Sequence, residues 1–288
     1  MAASRSARLS PIRSLTEGNP LDRNGWQGTY GGMVEIKRKA ALVTGAGKRI
    51  GRAIALDLAV RGWRVGVHFG HSRNEADAVV TQIVGQGGVA VALQADLERE
   101  MDAQALVPEA VERLGTLSLL VNNASRFERD EVEDVTRESW DRHMEANLRA
   151  PFVLSQAFAA QVPGDAEGLI VNMIDQRVWN LTPHFISYTL SKAGLWTLTQ
   201  TLAMALAPRI RVNAIGPGPT LKNVRQTDEE FAAQRDATPL RRGPSPEEIC
   251  AALRFLMDAP SVTGQMVALD GGEHLGWAQP SLGFVPTE

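Results

Sequence analysis

From Lys39 onward, short apolar runs alternate with stretches of helical spacing, and this alternation restricts the possible folds more than any other feature of the chain. Strands are expected over 40–43, 64–68, 89–93, 117–122, 169–174, 210–214 and 266–269. Between them, helices are expected over 50–60, 74–84, 103–114, about 139–161 and 188–206. A strand can rejoin a parallel neighbour only through a crossover, and crossovers of this kind are right-handed. The fold class is therefore α/β, a single doubly wound domain with a parallel sheet flanked by helices, spanning 37–288. At 288 residues the chain can bury one large core without a second domain. Residues 1–36 show no apolar period and read as a disordered extension, or as sequence upstream of a true start at Met33. Their Arg5, Arg8 and Arg13 among serines also fit a transit peptide. The segment 218–243 is polar, with one short helical stretch near 229–235, and is expected to form a lid over a substrate site.

The first strand runs into its helix through Thr44-Gly45-Ala46-Gly47-Lys48-Arg49-Ile50-Gly51. Glycines there allow a tight turn and close approach of a pyrophosphate, whose charge the free N–H groups of the helix start favour. This points to a dinucleotide, with Gly45, Lys48, Arg49, Ile50 and Gly51 as contacts. An Asp or Glu closing the second strand would take a free ribose 2′-hydroxyl, but here the chain reads His68-Phe69-Gly70-His71-Ser72-Arg73. His71, Ser72 and Arg73, with Lys48 and Arg49, suit a 2′-phosphate, so NADPH is expected rather than NADH. Asp96 with Leu97 after the third strand, and Asn123 with Ala124 after the fourth, are further candidate contacts.

Tyr188 and Lys192 stand four residues apart, on one face of a helix. An ammonium there lowers the phenol's pKa and makes it a better proton donor near neutrality. With the glycine turn, Asn122-Asn123-Ala124, Asn147, Pro217-Gly218 and Asp270-Gly271-Gly272, the chain resembles the short-chain dehydrogenase/reductase family, from Lys39 to about Gly272. The resemblance implies a Rossmann-type fold, Tyr188 as proton relay, Lys192 on the nicotinamide ribose, Asn147 supporting a water relay, and Pro217 and Gly218 near the cofactor. It implies a homotetramer as well.

One position departs from that pattern: Asp175 stands thirteen residues before the tyrosine, where the family usually has Ser. Asp175, Lys48-Arg49, His71-Ser72 and Asn123-Ala124-Ser125-Arg126-Phe127 resemble the pteridine reductase branch, with its dihydromonapterin and alternative dihydrofolate reductases. The branch implies NADPH-dependent reduction of a pterin C=N bond, with Phe127 stacking on the ring and Ser125 and Arg49 bonding its edge. Asp175 and Tyr188 would supply the proton, and Trp179 and Leu221 would also line the substrate site. Arg126, Arg177 and Trp179 are expected to reshape this pocket. The competing readings are a carbonyl or 3-ketoacyl reductase of the same family, and a silent NADPH sensor.

Composition removes other classes. A net charge of −3 without a dense basic block offers no footprint for nucleic acid or membrane surface. Cys250 is the only cysteine and the five histidines are scattered, so neither a disulfide nor a metal site is expected. A small-molecule partner and a cytoplasmic location follow as expectations.

Overall fold

The computed structural model describes residues 39–276, so the expectation for 1–36 lies outside the described residues. Seven strands form one sheet: β1 (Ala40–Val43), β2 (Arg64–Phe69), β3 (Val89–Gln94), β4 (Leu119–Asn122), β5 (Gly168–Met173), β6 (Ile210–Pro217) and β7 (Met266–Leu269). Their spatial order is β3-β2-β1-β4-β5-β6-β7, every neighbouring pair parallel. The helices are α1 (Arg49–Val60), α2 (Arg73–Gly85), α3 (Glu100–Leu114), α4 (Arg137–Met144), α5 (Ala150–Gln161), α6 (Ile186–Leu206), α7 (Asp228–Asp236) and α8 (Pro246–Asp258).

Because side chains alternate across a strand, β1 feeds both faces of the sheet. Ala41 and Val43 pack with Ile54 and Leu58 of α1, Val79 of α2 and Leu253 of α8. Ala40 and Leu42 pack with Leu106 of α3, Leu154 and Phe158 of α5 and Leu202 of α6. All four β1 residues are buried, which explains why the strand reads as a continuous apolar run. The chain leaves β1 toward β2 on one side and returns to β4 on the other, so a crevice opens above their carboxyl ends.

Three differences from the sequence reading have local causes. The helix expected over 139–161 begins at Arg137, because Thr136 accepts from the Ser139 N–H while the Ser139 hydroxyl accepts from the Thr136 N–H. It then passes through a wider π turn, Glu145–Arg149, which carries Asn147. Helix α8 has no counterpart in the sequence reading, although Ser245 with Glu248 forms a capping box and Pro246 sits at the first turn. Among the described residues no helix is long and apolar enough to cross a membrane.

Candidate active site

The glycine turn is built by close approach. A Cβ on Gly51 would lie 2.3 Å from the Gly45 carbonyl oxygen, so only glycine lets α1 start this near β1. Gly45 itself has φ +62°. Its N–H donates to His68 Nδ1 at 3.0 Å, leaving the proton on Nε2, which donates to the Ala95 carbonyl at 3.1 Å. Burial pushes His68 down to about 4, so the ring is neutral and can hold both bonds. The Thr44 hydroxyl accepts from the N–H groups of Asn123 and Ala124, each at 2.9 Å, while Asn123 Nδ2 donates to the Thr44 carbonyl at 2.8 Å. The ends of β1 and β4 are thereby joined.

Across the cleft, α6 presents Tyr188 and Lys192 one turn apart. The Tyr188 hydroxyl donates to Asp175 Oδ2 at 2.8 Å, and Asp175 Oδ1 accepts from the Arg177 N–H at 2.8 Å. Lys192 Nζ donates to the Met173 carbonyl at 2.8 Å and lies 5.9 Å from the Tyr188 ring centre. Burial lowers Lys192 to about 8, against the opposing pull of the Asp175 charge. The site thus joins a phenol, a carboxyl group and a cation whose protonation changes close to physiological pH.

The loop after β4 forms one wall. Phe127 stacks on Phe185 with ring centres 4.8 Å apart, meets Tyr188 edge-on at 4.7 Å, and has the Arg225 guanidinium over it at 5.6 Å. Phe185 takes φ +59° just before α6, a conformation costing about 1–3 kcal/mol for a bulky residue. Its burial and its N–H donation to the Asp130 carbonyl at 2.9 Å hold it there. Behind this wall, the Glu128 N–H donates to His143 Nε2 at 3.2 Å, so His143 Nδ1–H donates to Ser187 Oγ at 2.6 Å. Ser187 in turn donates to Asp130, which also accepts from the Ser187 N–H. All three side chains are buried.

Gly45, Lys48, Arg49, Ile50, Gly51, Ser72, Asn123, Ala124, Ser125, Phe127, Asp175, Tyr188, Lys192, Pro217, Gly218 and Leu221 all line one cleft of about 490 Å³. His71, Arg73, Asp96, Leu97, Asn147 and Trp179 are not among its lining residues. Arg73 instead bonds Gln94 and covers Phe69, Asp96 accepts from the Glu98 N–H, and Leu97 joins the core. Asn147 uses its whole amide on the loop and α6: Nδ2 donates to the Arg126 carbonyl and Ser191 Oγ, and Oδ1 accepts from the Arg126 N–H. Trp179 turns to Trp196 and His274, because the tight turn Gln176–Val178 rotates successive side chains by about a third of a circle. Arg126, expected to charge the pocket, pairs with Glu98 and Glu128 instead. Arg177 does line the cleft, with its guanidinium over the Phe185 ring. Lys48 is paired with Glu75 at 2.6 Å.

The sequence reading missed His68 as the brace of the glycine turn, and it missed the Asp130, His143 and Ser187 network. Gln176 also lines the cleft. A histidine closing β2, beside the glycine turn, was the available signal for the first; the network had none, since its members lie 44 and 57 positions apart.

Known proteins share this fold. The structure is similar to that of FolM alternative dihydrofolate reductase 1 from Brucella suis in complex with NADP, at 49% identity and TM-score 0.81, covering 84% of this chain and 97% of that one. The same protein from Brucella canis, complexed with NADP, matches at 47% identity and TM-score 0.80, covering 85% and 98%. A 3-oxoacyl-[acyl-carrier-protein] reductase of Synechocystis is 32% identical over 245 residues, 83% of this chain and 98% of the relative. The pattern of the short chain dehydrogenase family matches residues 39–233, and the chain belongs to that family.

Proposed function

We propose that this protein is an NADPH-dependent reductase of dihydropterins, acting on a C=N bond. The carrying observation is the 2.8 Å hydrogen bond between Tyr188 and Asp175, which puts a carboxyl group where the family usually has a hydroxyl. The two Brucella structures, named as dihydrofolate reductases and holding NADP, support the same reading.

The glycine turn fits such a cofactor, because Gly45, Gly51 and the start of α1 line the cleft and Ser72 lies beside Gly47. Gly45, Lys48, Arg49, Ile50, Gly51 and Ser72 would hold its phosphate end, and Asn123, Ala124, Ser125, Pro217, Gly218 and Lys192 its nicotinamide half. When bound, NADPH supplies the hydride for the substrate carbon. Tyr188, paired with Asp175, delivers its phenolic proton to the substrate nitrogen, and the Lys192 ammonium stabilises the phenolate left behind. Phe127, Ser125, Arg49 and Leu221 form the substrate wall. Asn147 acts by holding the loop that carries Ser125 and Phe127.

Segment 218–243 serves as a lid. Asn223, Gln226, Phe231 and Gln234 line the cleft, and Arg49 donates to the carbonyls of Leu221 and Lys222 at 2.8 and 2.7 Å. We place the active form as a homotetramer built through α4–α5 and α6, where Leu190 and Met204 are exposed. A cytoplasmic setting suits the single, buried, unpaired Cys250.

The similarity to the Synechocystis enzyme favours a second reading, reduction of 3-ketoacyl thioesters. Following NADPH oxidation with 7,8-dihydropterins, dihydrofolate and acetoacetyl thioesters separates the two. Turnover of pterins or dihydrofolate is expected, and turnover of thioesters alone would refute the proposal.

A further inference from the structure

Gly45 opens the phosphate-binding turn at φ +62°, a conformation glycine reaches about as readily as its mirror image, so the residue itself does not keep the turn in one shape. Its neighbours do. The Gly45 N–H donates to His68 Nδ1 at 3.0 Å, and the Ala46 N–H donates to the His68 carbonyl at 2.8 Å. From the end of β4, Asn123 Nδ2 donates to the Gly45 carbonyl at 3.3 Å. The other edge of the His68 ring is fixed as well, because Nε2 donates to the Ala95 carbonyl just past β3 at 3.1 Å. Ala95 is itself tied to β2, its N–H donating to the Phe69 carbonyl at 3.1 Å. The ring is 2% exposed and is not among the lining residues of the cleft, so it can act on a bound dinucleotide only through the turn.

The position demands an acceptor toward Gly45 and a donor toward Ala95 in one rigid plane, and a neutral imidazole offers both. Without that acceptor, the Gly45 N–H would be left unpaired at a cost of about 1–3 kcal/mol. A glycine escapes the cost by rotating, since other backbone conformations are open to it. The turn would then leave the shape in which the first N–H groups of α1 can meet a pyrophosphate, and the cofactor would have to restore it on binding.

We propose that His68 is a positioning residue for the dinucleotide, its Nδ1 acceptor locking Gly45 so that the turn holds its phosphate-binding shape before the cofactor arrives. This rests on the NADPH reading and adds to it the residue that preorganises the turn from the strand behind.

The test is the Kd of the full chain for NADPH, read by fluorescence titration, in wild type, His68→Asn and His68→Gln. Counted in bonds from the backbone, the asparagine carbonyl oxygen stands where Nδ1 does, and the glutamine amide nitrogen stands where Nε2 does. Asparagine therefore keeps the bond to Gly45 and gives up Ala95, while glutamine does the reverse. His68→Asn is expected to bind within about threefold of wild type, and His68→Gln to bind about tenfold more weakly. A role in stability alone predicts the opposite order, because glutamine fills the space of the ring and asparagine leaves a void. Equal affinity in all three proteins, or a loss in His68→Asn as large as in His68→Gln, would overturn the assignment while leaving NADPH binding in place. A wild type that does not bind NADPH would overturn the cofactor reading, and this inference with it.

Discussion

At the residue scale, the chemistry turns on Lys192 as much as on Tyr188. Its ammonium is buried, with the Met173 carbonyl as hydrogen-bond acceptor, and burial takes it from its ordinary 10.5 to about 8. Between those values the unfolded chain holds a proton that the folded chain has released, so this group makes stability rise with pH in that window. Below about pH 8 both states are protonated and its contribution is flat. Lys192→Met removes this pH dependence. The unfolding free energy of wild type relative to Lys192→Met should therefore climb by up to about 3 kcal/mol from pH 8 to 10.5, measured by urea denaturation at each pH. A constant difference over that range would mean that the buried lysine titrates as it does in water. The Tyr188 and Lys192 pair was legible in the sequence because helical spacing alone puts both side chains on one face. The contact of Tyr188 with Asp175 was legible only through likeness to a known branch, since the two residues belong to different elements.

At the element scale, one loop is fastened to one helix. The loop after β4 carries Ser125 and Phe127, and α6 carries Tyr188. Between them lie the chain from the Glu128 N–H through His143 and Ser187 to Asp130, and the bonds from Asn147 to Arg126 and Ser191. The network sets the distance from the aromatic wall to the phenol, and the strained Phe185 is held by the same loop. Ser187→Ala interrupts it without touching the cleft. KM for a dihydropterin should rise about tenfold, a loss of roughly 1–1.5 kcal/mol, with NADPH affinity unchanged and Ser187→Thr restoring most of the loss. A variant that melts earlier yet keeps its KM would assign the network to folding alone. None of this was visible beforehand, because histidine, serine and aspartate at such separations meet only through tertiary packing. Helix α8 is the opposite case. Its capping box and proline were present in the sequence, and its apolar positions Ile249, Leu253 and Leu256 recur at helical spacing.

At the scale of the whole molecule, the sheet order puts the glycine turn and the end of β4 on either side of one crevice, and the ends of β5 and β6 bring Asp175 and Pro217 to it. The alternation of strand and helix conveyed this architecture well, because seven parallel strands joined by crossovers leave few other arrangements. Where side chains leave the crevice, as Trp179 and Arg73 do, the reason is local: a tight turn, or an aromatic ring and an amide within reach. The account as a whole depends on the carboxyl group at position 175 working with Tyr188 on a C=N bond. Its most direct measurement is kcat for a 7,8-dihydropterin and for acetoacetyl thioester in wild type and Asp175→Ser, with NADPH affinity determined for both proteins. Pterin turnover should fall at least about 100-fold, while thioester turnover holds or rises and NADPH binds as before. Equal pterin turnover in the two proteins would contradict the account.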